Sequence, residues 1–467
     1  MLSGQIKNRS WVIWGLIFLL ATGLASLIPP MQSPDEMSHL GRAYLISQGQ
    51  WFLDPLPQEI AVPSDNTQIS AMITRARSLQ VEMGGGLDEG LIAFADAHKA
   101  SSVKLHAESD KAHIAHLQWT GKKRYFSLWG TAYYFPAVYI PQAAGLFIGE
   151  HLHWTVQQSY YLARTITLLA CMILLSIAYT RAPIPPIGVA LLLLPMSLFQ
   201  MLSPTIDGLT TALAVMVMSQ LVFALKNSGA ALPIWHVAIA VFILATSRTH
   251  LMPMFLLPMY IAWQRRSWSD VWVTCLFGFA AVGWAVSALR SNNGLMLDPS
   301  HTSAGLLIYY AGHPWDFFEI AITTVTDPVQ SIFLQRSFIG ILGWLDTPLS
   351  AIYYPMLWAG LGICAAASMS IADFHVQRWG RLMLMASAAA SVGIIFLALL
   401  VTFTPHPATL VQGIQGRYFL VPTLLMAYAL SNHQKIQTVR WLLLLVFSIL
   451  ALSALITALI SRYGAVI

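Results

Sequence analysis

Charge is scarce in this chain. Asp, Glu, Lys and Arg make up 10% of its 467 residues, against about a quarter in soluble domains. That shortage excludes an ordinary soluble fold. Cysteine is scarce too. Cys171, Cys275 and Cys364 all lie in apolar runs, so neither a disulfide framework nor a cysteine-based metal motif is visible. Basic clusters are sparse: apart from Lys122-Lys123-Arg124, the Lys and Arg behind the net charge of +5 sit singly or in pairs, which is no nucleic-acid footprint. Internal repeats and low-complexity tracts are missing as well.

Apolar sequence is plentiful. Hydrophobic residues make up 57% of the chain, in runs near 20 residues that each match a bilayer core of about 30 Å. The runs are continuous rather than alternating, which argues against a β-barrel. The expected fold is all-α and polytopic, with about 11–13 spans. Expected spans are 11–30, 159–179, 186–203, 207–226, 232–248, 250–264, 270–290, 350–371, 381–404, 418–431 and 440–461. Lys7 and Arg9 before the first run resemble a signal peptide, but no small-x-small cleavage site follows, so the run reads as an uncleaved span. The chain divides into a first span (1–30), a polar insertion (31–132), a helical core (133–290), a second insertion (291–349) and C-terminal spans (350–467). Within the second insertion, 306–320 reads as an interfacial helix.

Segment 133–149 is short and carries Pro136 and Pro141. If it crosses fully, Arg181, Lys226, Arg265, Arg266, Arg378, Arg381, Lys435 and Arg440 face outward, against the positive-inside rule. If it only dips in, all eight face the cytoplasm with the N-terminus. The second reading puts both insertions, and Asp35, Glu36, Asp207, Arg248, Asp346 and Arg417, on the extracytoplasmic side.

Ser33-Pro34-Asp35-Glu36 directly follows the first span. Ser33 as N-cap, Pro34 at the first helical position and Glu36 closing a capping box explain most of it structurally. Asp35 is left over. It shares a helix face with His39 and Arg42, and an ionised aspartate can take a proton from an attacking hydroxyl. Asp35, Glu36 and His39 are also a candidate set for a divalent ion such as Mg or Mn. Asp207 sits in a helix first turn, where dipole compensation is the plain explanation. Arg417, beside Gly413 and Gly416, suits phosphate binding with glycines admitting a ligand close to the backbone; snorkelling is the alternative. Arg248 is a second candidate cation or a turn arginine. Asp346 and Trp344 suit sugar hydroxyls and a sugar face, or a helix start and an interfacial anchor. Tyr418 adjoins Arg417 as a further candidate contact.

Together, Pro34-Asp35-Glu36 with His39, Tyr134-Phe135-Pro136 running to Pro141-Gln142, Gly343-Trp344-Leu345-Asp346, and Gly413-Ile414-Gln415-Gly416-Arg417-Tyr418 resemble the DUF2142 family of bacterial membrane proteins. That family looks like part of the GT-C superfamily of membrane glycosyltransferases. Met37-Ser38 after the acidic pair is a departure from the expected small or proline residues. The resemblance implies a GT-C-like fold in the bacterial inner membrane, with catalytic carboxylates in a large first extracytoplasmic loop. It implies an inverting enzyme using a polyprenyl-phosphate-linked sugar and a cell-envelope glycan, glycolipid or protein acceptor. On this chain it maps Asp35 as general base, with Glu36 beside it. The rival expectations are a transporter or flippase for lipid-linked sugars and a non-catalytic subunit of an envelope-assembly complex.

Overall fold

The computed structural model describes residues 2–55, 83–104, 114–226, 233–291, 302–369, 377–431 and 438–464. The chain is mostly helical, with 18 α-helices among the described residues. The first helix, α1, is Leu2–Ser26. The first insertion then departs from the all-α expectation. It contains a short helix α2 (Glu36–Ser47), a helix α3 (Glu89–Lys104), and a three-stranded antiparallel sheet of β1 (Asp54–Pro55), β2 (Met83–Asp88) and β3 (Lys123–Ser127). The sheet rests on glycines: β2 contains Gly84, Gly85 and Gly86, and a Cβ on Gly84 would lie 2.1 Å from the Phe126 carbonyl oxygen.

The 133–149 segment is a 3-10 turn, Pro136–Tyr139, followed by α4, Ile140–His151. Twelve helical residues rise about 18 Å, too little to cross a bilayer core alone. A long helix, α5 (Val156–Arg181), packs against α4 through small residues. A Cβ on Gly145 would lie 2.3 Å from Ala163 Cα, so the two backbones touch. Such contact supplies the packing that holds helices together where no hydrophobic drive exists.

Among the described residues five helices are long and apolar enough to span: α5, α8 (Ile206–Lys226), α11 (Trp268–Ser291, residues 268–289), α16 (Arg378–Thr402) and α18 (Thr438–Tyr463, residues 440–463). Ile13–Ser26 and α9 (Ile234–Ser247) are shorter apolar helices. Several of the expected runs do not form one continuous helix of that length among the described residues, and proline is the main cause. The 186–203 run breaks at Pro195 into α6 (Pro186–Leu192) and α7 (Pro195–Met201). The 250–264 run starts as a 3-10 stretch, Thr249–Phe255, containing Pro253, before α10 (Leu256–Gln264). In the second insertion, His313-Pro314 divides α12 (Ser303–Gly312) from α13 (Pro314–Thr326), and α14 (Pro328–Ile339) follows. A two-residue hairpin, β4 (Ile341–Leu342) and β5 (Thr347–Pro348), leads to α15 (Tyr353–Ser368). A 3-10 turn at Gly416–Phe419 opens α17 (Leu420–Leu430).

Helix α8 is the axis of the bundle; 78% of its apolar window is buried. Asp207 is in its first turn and Lys226 in its last, about 29 Å apart by helical rise. Two contacts mark the Lys226 end: Arg181 lies over the Phe223 ring, and Arg381 donates to the Ala429 carbonyl at 2.8 Å. Asp207, Arg248 and Arg417 lie at the other end. Arg181, Lys226 and Arg381 thus lie at the end of the bundle opposite Asp207, Arg248 and Arg417, while Lys435 lies outside the described residues.

Candidate functional site

Four segments distant in sequence meet at the Asp207 end. Asp35 stands immediately before α2 with φ 61°, in the left-handed region. Aspartate tolerates that conformation better than most residues. Its side chain makes no cap hydrogen bond, so the carboxylate is free to turn toward the bundle. There its Oδ2 lies 3.4 Å from Arg417 Nη2. Arg417 Nη1 lies 3.5 Å from Asp207 Oδ2, while Asp207 Oδ1 is bonded to Arg248. Arg248 stands at the C-terminal cap of α9, where a cation is favoured. It also donates to the Tyr134 hydroxyl at 3.2 Å and lies over that ring.

The result is an alternating chain, Asp35–Arg417–Asp207–Arg248, ending on Tyr134. Burial is uneven along it. Arg417, Asp207 and Arg248 side chains are 5%, 12% and 13% exposed, and Asp35 is 63% exposed. Asp35 faces a cavity of about 240 Å³ whose walls also include His39, Tyr134, Arg248, Arg417 and Tyr418. Asp207 stands behind the two arginines and orients both. Arg417 has donor capacity to spare: its Nε has no hydrogen-bond partner among the described residues, and its Nη1 meets only the Asp207 charge, at a long 3.5 Å. An anion entering the cavity would meet donors whose desolvation has already occurred.

His39 lies on the wall of the cavity. Its Nδ1 is 2.9 Å from the Tyr139 hydroxyl, and its ring stacks on Tyr134. Burial, then the charges of Arg248 and Arg417, push its pKa well below the usual imidazole range. It is therefore a neutral hydrogen-bonding group at neutral pH.

Glu36 turns away. It is buried, and its carboxylate accepts from the backbone N–H groups of Met31 and Ser33 at 3.2 and 2.8 Å and from the Tyr160 hydroxyl. Half of the expected capping box forms, through the Ser33 N–H; Ser33 Oγ has no hydrogen-bond partner among the described residues. Burial raises the Glu36 pKa despite these donors. Its place beside Asp35 in sequence is not shared in space, because one helical step turns it to the opposite side. Among the described residues no three or more His, Cys, Asp or Glu side chains cluster as metal ligands, so Asp35, Glu36 and His39 do not converge on an ion.

Trp344 and Asp346 lie elsewhere. Trp344 Nε1 donates to the Met31 carbonyl at 3.0 Å, bracing the segment before Asp35. Asp346 pairs with Arg462 at 2.8 Å and accepts from Thr347 Oγ1. Neither lines the Asp35 cavity. The glycines beside Arg417 also have a different reason from the expected one. A Cβ on Gly416 would lie 2.2 Å from the backbone nitrogen of Phe338, and one on Gly413 would lie 2.6 Å from the Phe403 ring. They admit protein, not ligand. Arg42, expected on the Asp35 face, is buried and donates to the Trp51 carbonyl.

Sequence reasoning did not single out Tyr134, Thr131, Ser127 or Phe403 as site residues, yet they line the cavity. The signal for Tyr134 was present in the Tyr134-Phe135-Pro136 motif, where the proline starts the 3-10 turn and fixes the preceding tyrosines.

A family model described as "Predicted membrane protein (DUF2142)" matches residues 18–427. No curated protein and no solved structure matches the chain.

Proposed function

The chain belongs to the DUF2142 family of predicted membrane proteins, and from that premise we propose that it is an inverting glycosyltransferase using a polyprenyl-phosphate-linked sugar. The observation that carries this reading is the cavity where a mostly exposed carboxylate, Asp35, faces two guanidiniums, buried Arg417 and partly buried Arg248. The donor phosphate takes the unspent donors of Arg417. The contact between Arg417 and Asp35 is long for a charged hydrogen bond, and phosphate would compete for it, releasing Asp35. The acceptor hydroxyl oxygen attacks the anomeric carbon and its proton goes to Asp35. The bond from anomeric carbon to phosphate oxygen breaks, and its electron pair leaves on phosphate, stabilised by the arginines. Phosphate needs no acid to leave, so one carboxylate suffices.

An apolar cavity of about 640 Å³ supports a lipid-borne donor. It runs along α17 from Gly416, next to Arg417, to Ser431, between walls that include Phe338, Trp358, Phe396 and Met426. A prenyl chain there would leave its phosphate near Arg417. The proposed setting is the bacterial inner membrane, with the N-terminus cytoplasmic, the Asp35 cavity outside, and an envelope glycan, glycolipid or protein as acceptor.

The test is mass spectrometry of envelope glycans and lipid-linked sugars in a strain lacking the protein, complemented with wild type or Asp35→Asn. Loss of one sugar branch, with its lipid-linked precursor accumulating in the Asp35→Asn strain, supports transfer. An unchanged glycan profile in the deletion strain would sink it. The broken helices α6–α7 and the 3-10 entries to α10 and α17 favour a second reading, a carrier for lipid-linked sugars, since discontinuous helices mark many transporters. In that case Asp35→Asn would leave the glycan profile as in wild type while deletion would not.

A further inference from the structure

A second cavity, of about 720 Å³, lies between α12, α13 and the segment following α16. Its volume is within the roughly 300–1,000 Å³ typical of small-ligand sites. Tyr309, Tyr310, Asp316, Glu319, Thr323 and His406 are on its walls. The Tyr309 hydroxyl donates to Asp316 Oδ2 at 2.7 Å, and the Tyr310 hydroxyl is 3.0 Å from His406 Nε2. Among the described residues neither Asp316 nor Glu319 is in an ion pair.

Helix α13 explains how such a lining survives in an apolar protein. Trp315, Phe318, Ile322 and Val325 recur at three- and four-residue steps and are 80%, 48%, 61% and 47% exposed. That stripe suits lipid. Asp316, Glu319 and Thr323 fall on the other stripe and look into the cavity. The helix is a wall with hydrocarbon on one side and acceptor oxygens on the other. Acidic side chains in a membrane protein are costly unless they meet water or a polar ligand.

The cavity also adjoins the first. Phe403 lines the Asp35 cavity and His406 lines this one, and three residues of chain span at most about 11 Å. The intervening segment is tied down: Gln412 N–H donates to Thr404 Oγ1 at 3.0 Å, and Val411 N–H to Thr324 Oγ1 at 2.9 Å.

We infer that this second cavity binds the acceptor as a short oligosaccharide, with Asp316 and Glu319 accepting sugar hydroxyls and the tyrosine rings packing on sugar C–H faces. Carboxylates disfavour an anionic lipid headgroup here, whereas they suit a polyol. The inference rests on the sugar-transfer reading for the word acceptor, and on this cavity alone for the binding.

The test is saturation-transfer difference NMR on the full chain in nanodiscs, with maltotetraose and chitotetraose as probes. The expected result is transfer to at least one probe, with apparent affinity falling roughly tenfold or more in Asp316→Asn/Glu319→Gln, the scale of a lost hydrogen bond to a charged acceptor. An unfolding midpoint of the double variant close to that of wild type shows that a loss is not misfolding. No transfer to either probe, or transfer unchanged in the double variant, overturns the inference. Intact binding in a protein whose deletion leaves envelope glycans unchanged would overturn the sugar-transfer reading and leave this site standing.

Discussion

Asp35 and Asp207 both contact Arg417, yet their replacement by asparagine should have very different costs. Asp207 is 12% exposed and shared by two guanidiniums that are 13% and 5% exposed. Its charge is the main compensation for both. Asp207→Asn keeps the volume and leaves two nearly buried cations facing one another, a change of the kind that costs roughly 3–5 kcal/mol. Asp35 is 63% exposed, and water screens its attraction to about 0–1 kcal/mol. The assay is the apparent unfolding midpoint of detergent-purified protein. Each kcal/mol is worth about 2–4 °C in chains of 150–250 residues, and less in longer ones. Asp207→Asn should thus fall by several degrees and Asp35→Asn by about one or less. Adding Arg248→Gln to Asp207→Asn should cost less than the sum of the two singles, by about 1 kcal/mol or more. Equal losses for the two aspartates, or strict additivity in the cycle, would refute the alternating ion-pair chain.

Glu36→Gln should destabilise the protein by about 2–4 kcal/mol, because an amide NH₂ replaces an oxygen that faces buried donors; the same thermal assay checks it. Gly416→Ala should lower the melting point and weaken binding of a prenyl phosphate together, since its Cβ would push the Arg417 turn off α14; unchanged binding in a titration would count against the placement of that turn. Imidazole in the unfolded chain binds a proton near pH 6.5, while folded His39 resists it to well below that. Its contribution is complete above pH 6.5 and drains as pH falls, by up to about 1.4 kcal/mol per unit. Glu36, with a raised pKa, works in the opposite direction, so the check is a difference: His39→Gln should flatten the loss of stability between pH 7 and 5 relative to wild type.

Apolar run length made the membrane class legible. Span number was not legible in the same way. Hydropathy sums over Pro195, Pro253 and Pro422 without registering that each falls at or near a break in the helix. The sheet was hidden because Gly84-Gly85-Gly86 carries no alternating pattern; its strand forms by lying against β3. At the site, Asp35, Arg248, Arg417, His39 and Tyr418 were each marked by polarity at a span end, and all five line one cavity. Glu36 shows where such reasoning fails. Two adjacent carboxylates look alike in sequence, but a left-handed residue followed by a helix start sends them to opposite sides. Gly413 and Gly416 show another failure, because a glycine that admits a ligand and one that admits a neighbouring backbone leave the same mark.

The central claim is that Asp35 and Arg417 share a cavity opening away from the cytoplasm. It is tested by adding a charged, membrane-impermeant bifunctional thiol reagent to intact cells carrying Asp35→Cys and Arg417→Cys in a chain otherwise free of cysteine. The account predicts that the two ends become joined, and that Asp35→Cys with Arg181→Cys does not. A link that forms only after the cells are permeabilised, or none in either state, would contradict it.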